Sequence, residues 1–505
     1  MKTITTFLTA VMFLCLSDLV PHAQAVIPPP DGGYAGGNTA EGQNALFSLT
    51  TGGFNTAVGW LSLRTDATSS FNTAIGAGAL LANTADQNTA TGTAALLFNT
   101  IGYRNTANGA FALFNNTEGH GNTATGANAL LSNTTGVGNT ADGDLALYSN
   151  TTGNVNTATG NEALYSNTEG SDNTATGAGA LNFNTTGDGN TAHGYSALTF
   201  NTTGQLNTAV GVAALSKNTT GEGNTAHGVF ALSNNTTGFI NTATGGNALM
   251  SNTIGVGNTA NGVDALAGNT TGVGNTADGI EALFFNETGA NNTAVGADAL
   301  HNVTTGSRNI GLGVNAGSAI TANNDVICIG APGPATVSDA CFIGHIFGTT
   351  SSGGTAVFIN SDGRLGTTTS SRRFKEEIKK MELSSEALYA LKPVTFRYKK
   401  EFDPQGILQF GLVAEEVEAV NPDLVVRDKE GKSYSVRYDQ VNAMLLNEFI
   451  KEHGRNAQQE ATIAELKKEI ANLTATVKKQ AAQIQKVSAQ VQLSSPASQT
   501  VMNSP

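Results

Sequence analysis

The chain is short of positive charge where most of its length lies. Between positions 26 and 305 the only basic side chains are Arg64, Arg104 and Lys217, and the net charge of the whole is -13. Nucleic-acid binding needs a basic stripe, so that class of partner is excluded. Charged residues make up only 13% of the 505 positions, too few for a chain kept unfolded by charge, and 60 glycines exclude a mainly helical fold. Cysteine is scarce as well. Cys15 falls in the N-terminal apolar stretch, leaving Cys328 and Cys341, and no His/Cys cluster has metal-ligand spacing. The two later cysteines, each in a short apolar segment, suit either a disulfide in an oxidising compartment or free thiols packed in strands. His193 and His227 share a repeat column but flank Val210, which reads as a half-exposed surface column. No metal or cofactor is expected.

Long apolar runs are missing except at the start. Lys2, the apolar stretch Phe7–Leu16 and the small-residue site Ala23-Gln24-Ala25 read as an export signal over 1–25. Ser17 and Asp18 cut the run short of the roughly 20 residues a membrane span needs. A secreted or cell-surface protein with no membrane span after signal removal is expected.

What is abundant is a repeat. Asn-Thr-Ala begins at 38, 55, 72, 88 and then every 17 residues to 292, with a degenerate copy at Asn309. The one irregular step, from 72 to 88, is 16. The consensus N-T-A-x-G-x-x-A-L-x-x-N-T-T-G-x-x keeps glycine four places after the first Asn, where a bend needs positive φ or close approach. Leucine recurs eight places after it, a column that stacks coil on coil. Asn-Thr-Thr-Gly carries turn chemistry, with Asn bonding its own backbone and Gly in the left-handed position. These columns predict a β-solenoid of two short strands and two turns per coil, too interrupted for helices. One leucine and two alanines per coil are a thin core against the entropy of ordering seventeen residues, which favours association of chains around a three-fold axis.

The expected organisation is mainly β: a linker at 26–37, the solenoid at 38–320 and a β-rich cap at 321–369. A small α+β domain at 370–455 follows, then a coiled coil at 456–494 and a disordered tail at 495–505. The coiled coil rests on two apolar columns. Ile463, Ile470, Val477, Ile484 and Val491 form one; Leu466, Leu473, Gln480 and Val487 form the other.

The repeat style resembles the β-roll heads of trimeric autotransporter adhesins and phage tail-fibre shafts. A second resemblance rests on motifs in order: Ser370-Ser371-Arg372-Arg373-Phe374-Lys375, Leu391 to Tyr398, Phe410 to Val417, Asn421-Pro422 and Tyr438-Asp439. These resemble the endosialidase-type intramolecular chaperone, the self-cleaving C-terminal domain of phage tail spikes. That resemblance implies a homotrimer and a Ser370/Lys375 dyad acting only on its own chain, the lysine activating the serine hydroxyl. Ser371 stands where the family usually has Asp. The expectation is a secreted or surface fibre, adhesive or structural, that assembles as a trimer, meets a glycan or cell-surface receptor and releases its C-terminal domain. A phage-derived tail fibre and a trimeric stalk that never cuts are the alternatives.

Overall fold

The computed structural model describes residues 34–494. The expected export signal and C-terminal tail lie outside the described residues. The chain divides into two compact units between Thr349 and Thr350.

In the first unit each repeat forms one coil of a β-solenoid. The Thr-Ala-x triplet makes a three-residue strand, from β1 (Thr39–Glu41) to β17 (Ile310–Leu312). Successive strands pair in parallel and in register, Thr on Thr and Ala on Ala. Two strands beyond the last repeat, β18 (Val326–Ile329) and β19 (Ala340–Ile343), extend the ladder to nineteen. The fold class is as expected, but each coil has one strand rather than two. The reason lies in the backbone after the strand. Gly at the fourth place takes φ of +109° to +151°, ending the strand, and the leucine column itself is left-handed, with φ of 48° to 53° from Leu46 to Leu300. A left-handed leucine costs about 1–2 kcal/mol. It persists because this geometry turns the side chain into the core, where full burial of leucine contributes roughly 1.5–3 kcal/mol.

Hydrogen bonds nevertheless run between coils on every side. In the coil that starts at Asn105, the N–H groups of Thr106, Leu113, Asn115 and Thr117 donate to carbonyls of the following coil. Those of Gly109, Phe111 and Gly121 donate to the preceding one. The interior holds one leucine and two alanines per coil, as at Ala124, Ala129 and Leu130. It also holds two buried asparagine columns, as at Asn122 and Asn133.

The 16-residue coil keeps its strand in register, Thr73 pairing with Thr89. The missing residue is absorbed in the turn, where Thr84-Ala85-Asp86-Gln87 replaces Thr-Thr-Gly-x-x. Past the repeats, Ile327 pairs with Cys341 and Cys328 with Phe342. The buried Cys328 and the exposed Cys341 thus point to opposite faces, and both thiols are free.

The second unit is small and mixed. Its elements are three hairpins, β20 (Phe358–Ile359) with β21 (Leu365–Gly366), β22 (Val394–Phe396) with β23 (Gln409–Gly411), and β24 (Val425–Arg427) with β25 (Ser433–Val436). Helix α1 (Ala414–Val420) and a 3-10 segment, Glu382–Ala390, accompany them. The chain then runs as one continuous helix, α2 (Tyr438–Leu493), with no break between the expected domain helix and the expected coiled coil. The unit's core is six residues: Val417, Leu424, Val425, Val436, Val441 and Met444. Among the described residues no helix is long and apolar enough to cross a membrane.

Candidate functional site

Three arrangements in the molecule bear on function. The first is the pair singled out by the sequence. Ser370 and Lys375 flank a single 3-10 turn, Arg372–Phe374, whose Lys375 N–H donates to the Arg372 carbonyl at 3.1 Å. Both side chains are exposed, and no hydrogen bond joins them among the described residues. The Arg373 guanidinium between them lies over the Phe374 ring at 4.5 Å. The turn brings both residues to one short segment without assembling a desolvated Ser–Lys pair. A lysine serves as the base for a serine hydroxyl when the two are packed together out of water, and here Lys375 is exposed.

The second arrangement was missed in the sequence. Glu448 on α2 is buried against the 3-10 segment Glu382–Ala390. Its Oε1 accepts from Ser385 Oγ at 2.5 Å and from Lys451 Nζ at 2.7 Å, and its Oε2 accepts from the Tyr389 hydroxyl at 2.8 Å. Asn447 Nδ2 donates to Ser385 Oγ at 2.6 Å. The Lys451 ammonium and the Ser385 and Tyr389 hydroxyls together hold the Glu448 carboxyl down at about 2. This polar cluster pins the 3-10 segment to the helix. The one signal was an acid inside the apolar run Met444 to Ile450.

The third is the pair of asparagine ladders. From Asn99 to Asn286 each amide of one column donates Nδ2 to the Oδ1 of the previous coil at 2.7–2.8 Å, starting on Asn83. In the other column the backbone N–H donates, as from Asn122 to Asn105 Oδ1 at 3.0 Å, and from Asn139 to Asn275 the Nδ2 group joins it at 3.1–3.3 Å. The Nδ2 groups of both columns converge on one glycine carbonyl per coil. Gly119 O accepts from Asn105 at 2.8 Å and from Asn116 at 2.9 Å. That glycine is not left-handed, contrary to the expectation for Asn-Thr-Thr-Gly. It is required because a Cβ at Gly136 would lie 2.4 Å from Asn133 Oδ1 and 2.5 Å from the Gly153 carbonyl. Every buried side-chain nitrogen and oxygen among the described residues has a partner. The ladder ends in buried Val303 and Ile320 on one side. On the other it ends in Asp66, whose carboxyl is pushed up by burial.

The histidine column behaves as expected, His193 and His227 being exposed beside Val210. Elsewhere Glu281, Asp298 and His301 gather their ligand atoms within 4.8 Å of one another. There His301 Nδ1 lies 3.6 Å from Glu281 and 3.4 Å from Asp298, all three residues being half-buried.

Residues 370–426 match the model of the family described as the chaperone of endosialidase. The motifs from Ser370 through Asn421-Pro422 fall within that stretch, and Tyr438-Asp439 lies beyond it. No curated protein matches the chain. A 17-residue-repeat β-solenoid and a stretch similar to the chaperone of endosialidase are therefore the two recognisable parts, a combination that points to a fibre-like protein that assembles as an oligomer.

Proposed function

We propose that this chain is an exported fibre subunit, adhesive or structural, that assembles as a trimer through its C-terminal unit and then cuts itself before Ser370. The observation that carries this reading is the apolar surface the second unit leaves uncovered. Against a core of six residues it exposes Phe374, Leu383, Tyr398, Phe402, Phe410 and Phe449, among others. Both apolar columns of α2 are open as well, from Ile463 at 49% exposed to Ile484 at 69%. A single chain cannot keep such a surface in water, so it supports burial between copies. The helix seam sets the alignment and the solenoids register behind it. Packing of copies around the Arg372–Phe374 turn would desolvate the Lys375 amine and let it take the Ser370 hydroxyl proton. Oγ then attacks the Thr369 carbonyl, the Thr369–Ser370 C–N bond breaks as the proton passes to the Ser370 nitrogen, and water hydrolyses the resulting ester to free the Thr369 carboxylate and a chain beginning at Ser370. Removal of the chaperone makes assembly irreversible, so the shaft persists kinetically.

Sedimentation of the full-length protein should give three times the chain mass, and a monomer at micromolar concentration would overturn the reading. On incubation the wild type should yield a fragment beginning at Ser370. Ser370→Ala and Lys375→Met should remain whole while still forming trimers. A Ser370→Ala protein that fragments at the same bond would exclude the dyad.

A further inference from the structure

The shaft departs from its own repeat at one corner near its N-terminal end. In the last place of each repeat the backbone is left-handed, and glycine is the common occupant, as at Gly121, Gly138, Gly189 and Gly223. Over four consecutive coils that column instead holds Phe54, Phe71, Gln87 and Arg104, with φ of 56° to 63°. Further on, bulky apolar residues in this column are isolated: Leu206 stands between Gly189 and Gly223, and Ile240 between Gly223 and Gly257. The run is doubly unfavourable for folding. It places four side chains in a conformation that suits glycine, and it leaves Phe54 and Phe71 65% and 57% exposed.

All four side chains end in flat groups, and the two phenyl rings are stacked. The Phe54 and Phe71 rings lie 5.4 Å apart and 8° from parallel. Gln87 comes next, its Oε1 accepting from Arg104 Nε at 2.9 Å. In the adjoining column the Tyr103 and His120 rings stack at 4.7 Å and 7°. Beside this tape the shortened turn opens a trough of about 480 Å³ lined by Thr68, Thr84, Asp86, Gln87 and Tyr103. Asp86 Oδ1 accepts from the Ser70 N–H at 2.8 Å. Its other oxygen and the terminal nitrogens of Arg104 have no protein hydrogen bond among the described residues.

We propose that this corner is a binding site for a neutral oligosaccharide. A pyranose ring has an apolar C–H face and a rim of hydroxyls, and the corner offers partners for both: the exposed part of a stacked phenyl pair, then planar donors and acceptors. One carboxylate and one guanidinium balance in charge, which suits hydroxyl pairs rather than an ionic ligand. Phe54 to Arg104 spans three coil steps, about 14 Å at the usual strand spacing, the length of a short oligosaccharide rather than a single sugar. The site rests on the adhesive form of the function proposed above and gives it a location.

The test is a printed array of neutral and sialylated oligosaccharides probed with the full-length protein. Four proteins are compared: wild type, Phe54→Asn/Phe71→Asn, Arg104→Ala and Phe200→Asn. Asn occupies the same column at Asn291 and tolerates its backbone, so the double variant should melt no lower than wild type. Wild type should bind neutral oligosaccharides. The double variant and Arg104→Ala should lose at least tenfold, and Phe200→Asn, altering a stacked pair elsewhere on the shaft, should lose nothing. Neutral-glycan binding that survives the double substitution would remove this site but leave the adhesive reading standing. Absence of any glycan binding by wild type would remove both. Preference for sialylated glycans would refute the ligand class, and dissociation of the double variant into single chains would make the corner a contact between copies.

Discussion

Replacing Asn133 by Ala tests whether the amide ladder holds the solenoid together. The side chain donates Nδ2 to Asn116 Oδ1 at 2.8 Å and to the Gly136 carbonyl at 3.1 Å, and its Oδ1 accepts from Asn150 Nδ2 at 2.8 Å. Two of the three partners keep another bond, Gly136 O from Asn122 at 2.8 Å and Asn150 to Gly153 O at 3.0 Å. Asn116 Oδ1 is left buried without its donor. Three lost hydrogen bonds at roughly 1 kcal/mol each, with about 1–3 kcal/mol for the orphaned carbonyl, give about 4–6 kcal/mol. Coils touch only their neighbours, so the loss stays local to the altered coil and the two beside it. Hydrogen exchange followed by mass spectrometry should show amides near Leu113 to Gly153 exchanging about a thousandfold to ten-thousandfold faster, with coils beyond Asn241 unchanged. Thr135→Ala, an exposed change in the same turn, should have no effect. Asn133→Asp keeps the shape but loses the donor, and the buried acid should regain protection as the pH falls. A loss of protection below tenfold for Asn133→Ala would refute the reasoning.

Two further outcomes follow from the buried acids. Asp66 sits in the ladder column with its carboxyl raised by burial, so the folded state takes up the proton more readily than the unfolded one. The N-terminal coils should therefore gain stability as the pH falls through that raised value, and Asp66→Asn should add about 1–2 kcal/mol at neutral pH but little in acid. A stability difference between the two proteins that does not change with pH would exclude this. Glu448 has the opposite sign: its folded value of about 2 lies below the ordinary 4.5, so its stabilisation is present at neutral pH and fades from about 4.5 down towards 2. Glu448→Gln should lower the melting temperature of the second unit at pH 7, and the gap from wild type should close as the pH approaches 2.

Much of the shaft was legible because a repeat reports the same environment many times. The leucine column, the alanines and the bend glycine each stand at one phase over the array, and each occupies the place in the core or corner that its chemistry suggested. The misreadings came from the same motif. Asn-Thr-Thr-Gly has the composition of a surface turn, and single-coil reasoning assigns its Asn to local bonding. That Asn does bond a carbonyl three residues on, as Asn133 does to Gly136, but its larger role is the bond to the coil beneath. The second strand per coil failed because left-handed leucine is uncommon enough that propensity argues against it. For the proposed dyad, the motif picks out Ser370 and Lys375, whereas both side chains lie exposed in the single chain, and any activation would need another surface over that turn.

The sequence alone determined the period, the composition of the core and the change of character at Ser370, because these follow from which residue types recur and where. Tertiary structure decided what the asparagines do. An amide is equally at home in a water-exposed turn and in a buried stack, and only coil-on-coil register places each Nδ2 within 2.8 Å of the next Oδ1. It also decided that the one short repeat becomes a trough flanked by stacked flat side chains, since that corner exists only where consecutive coils lie side by side.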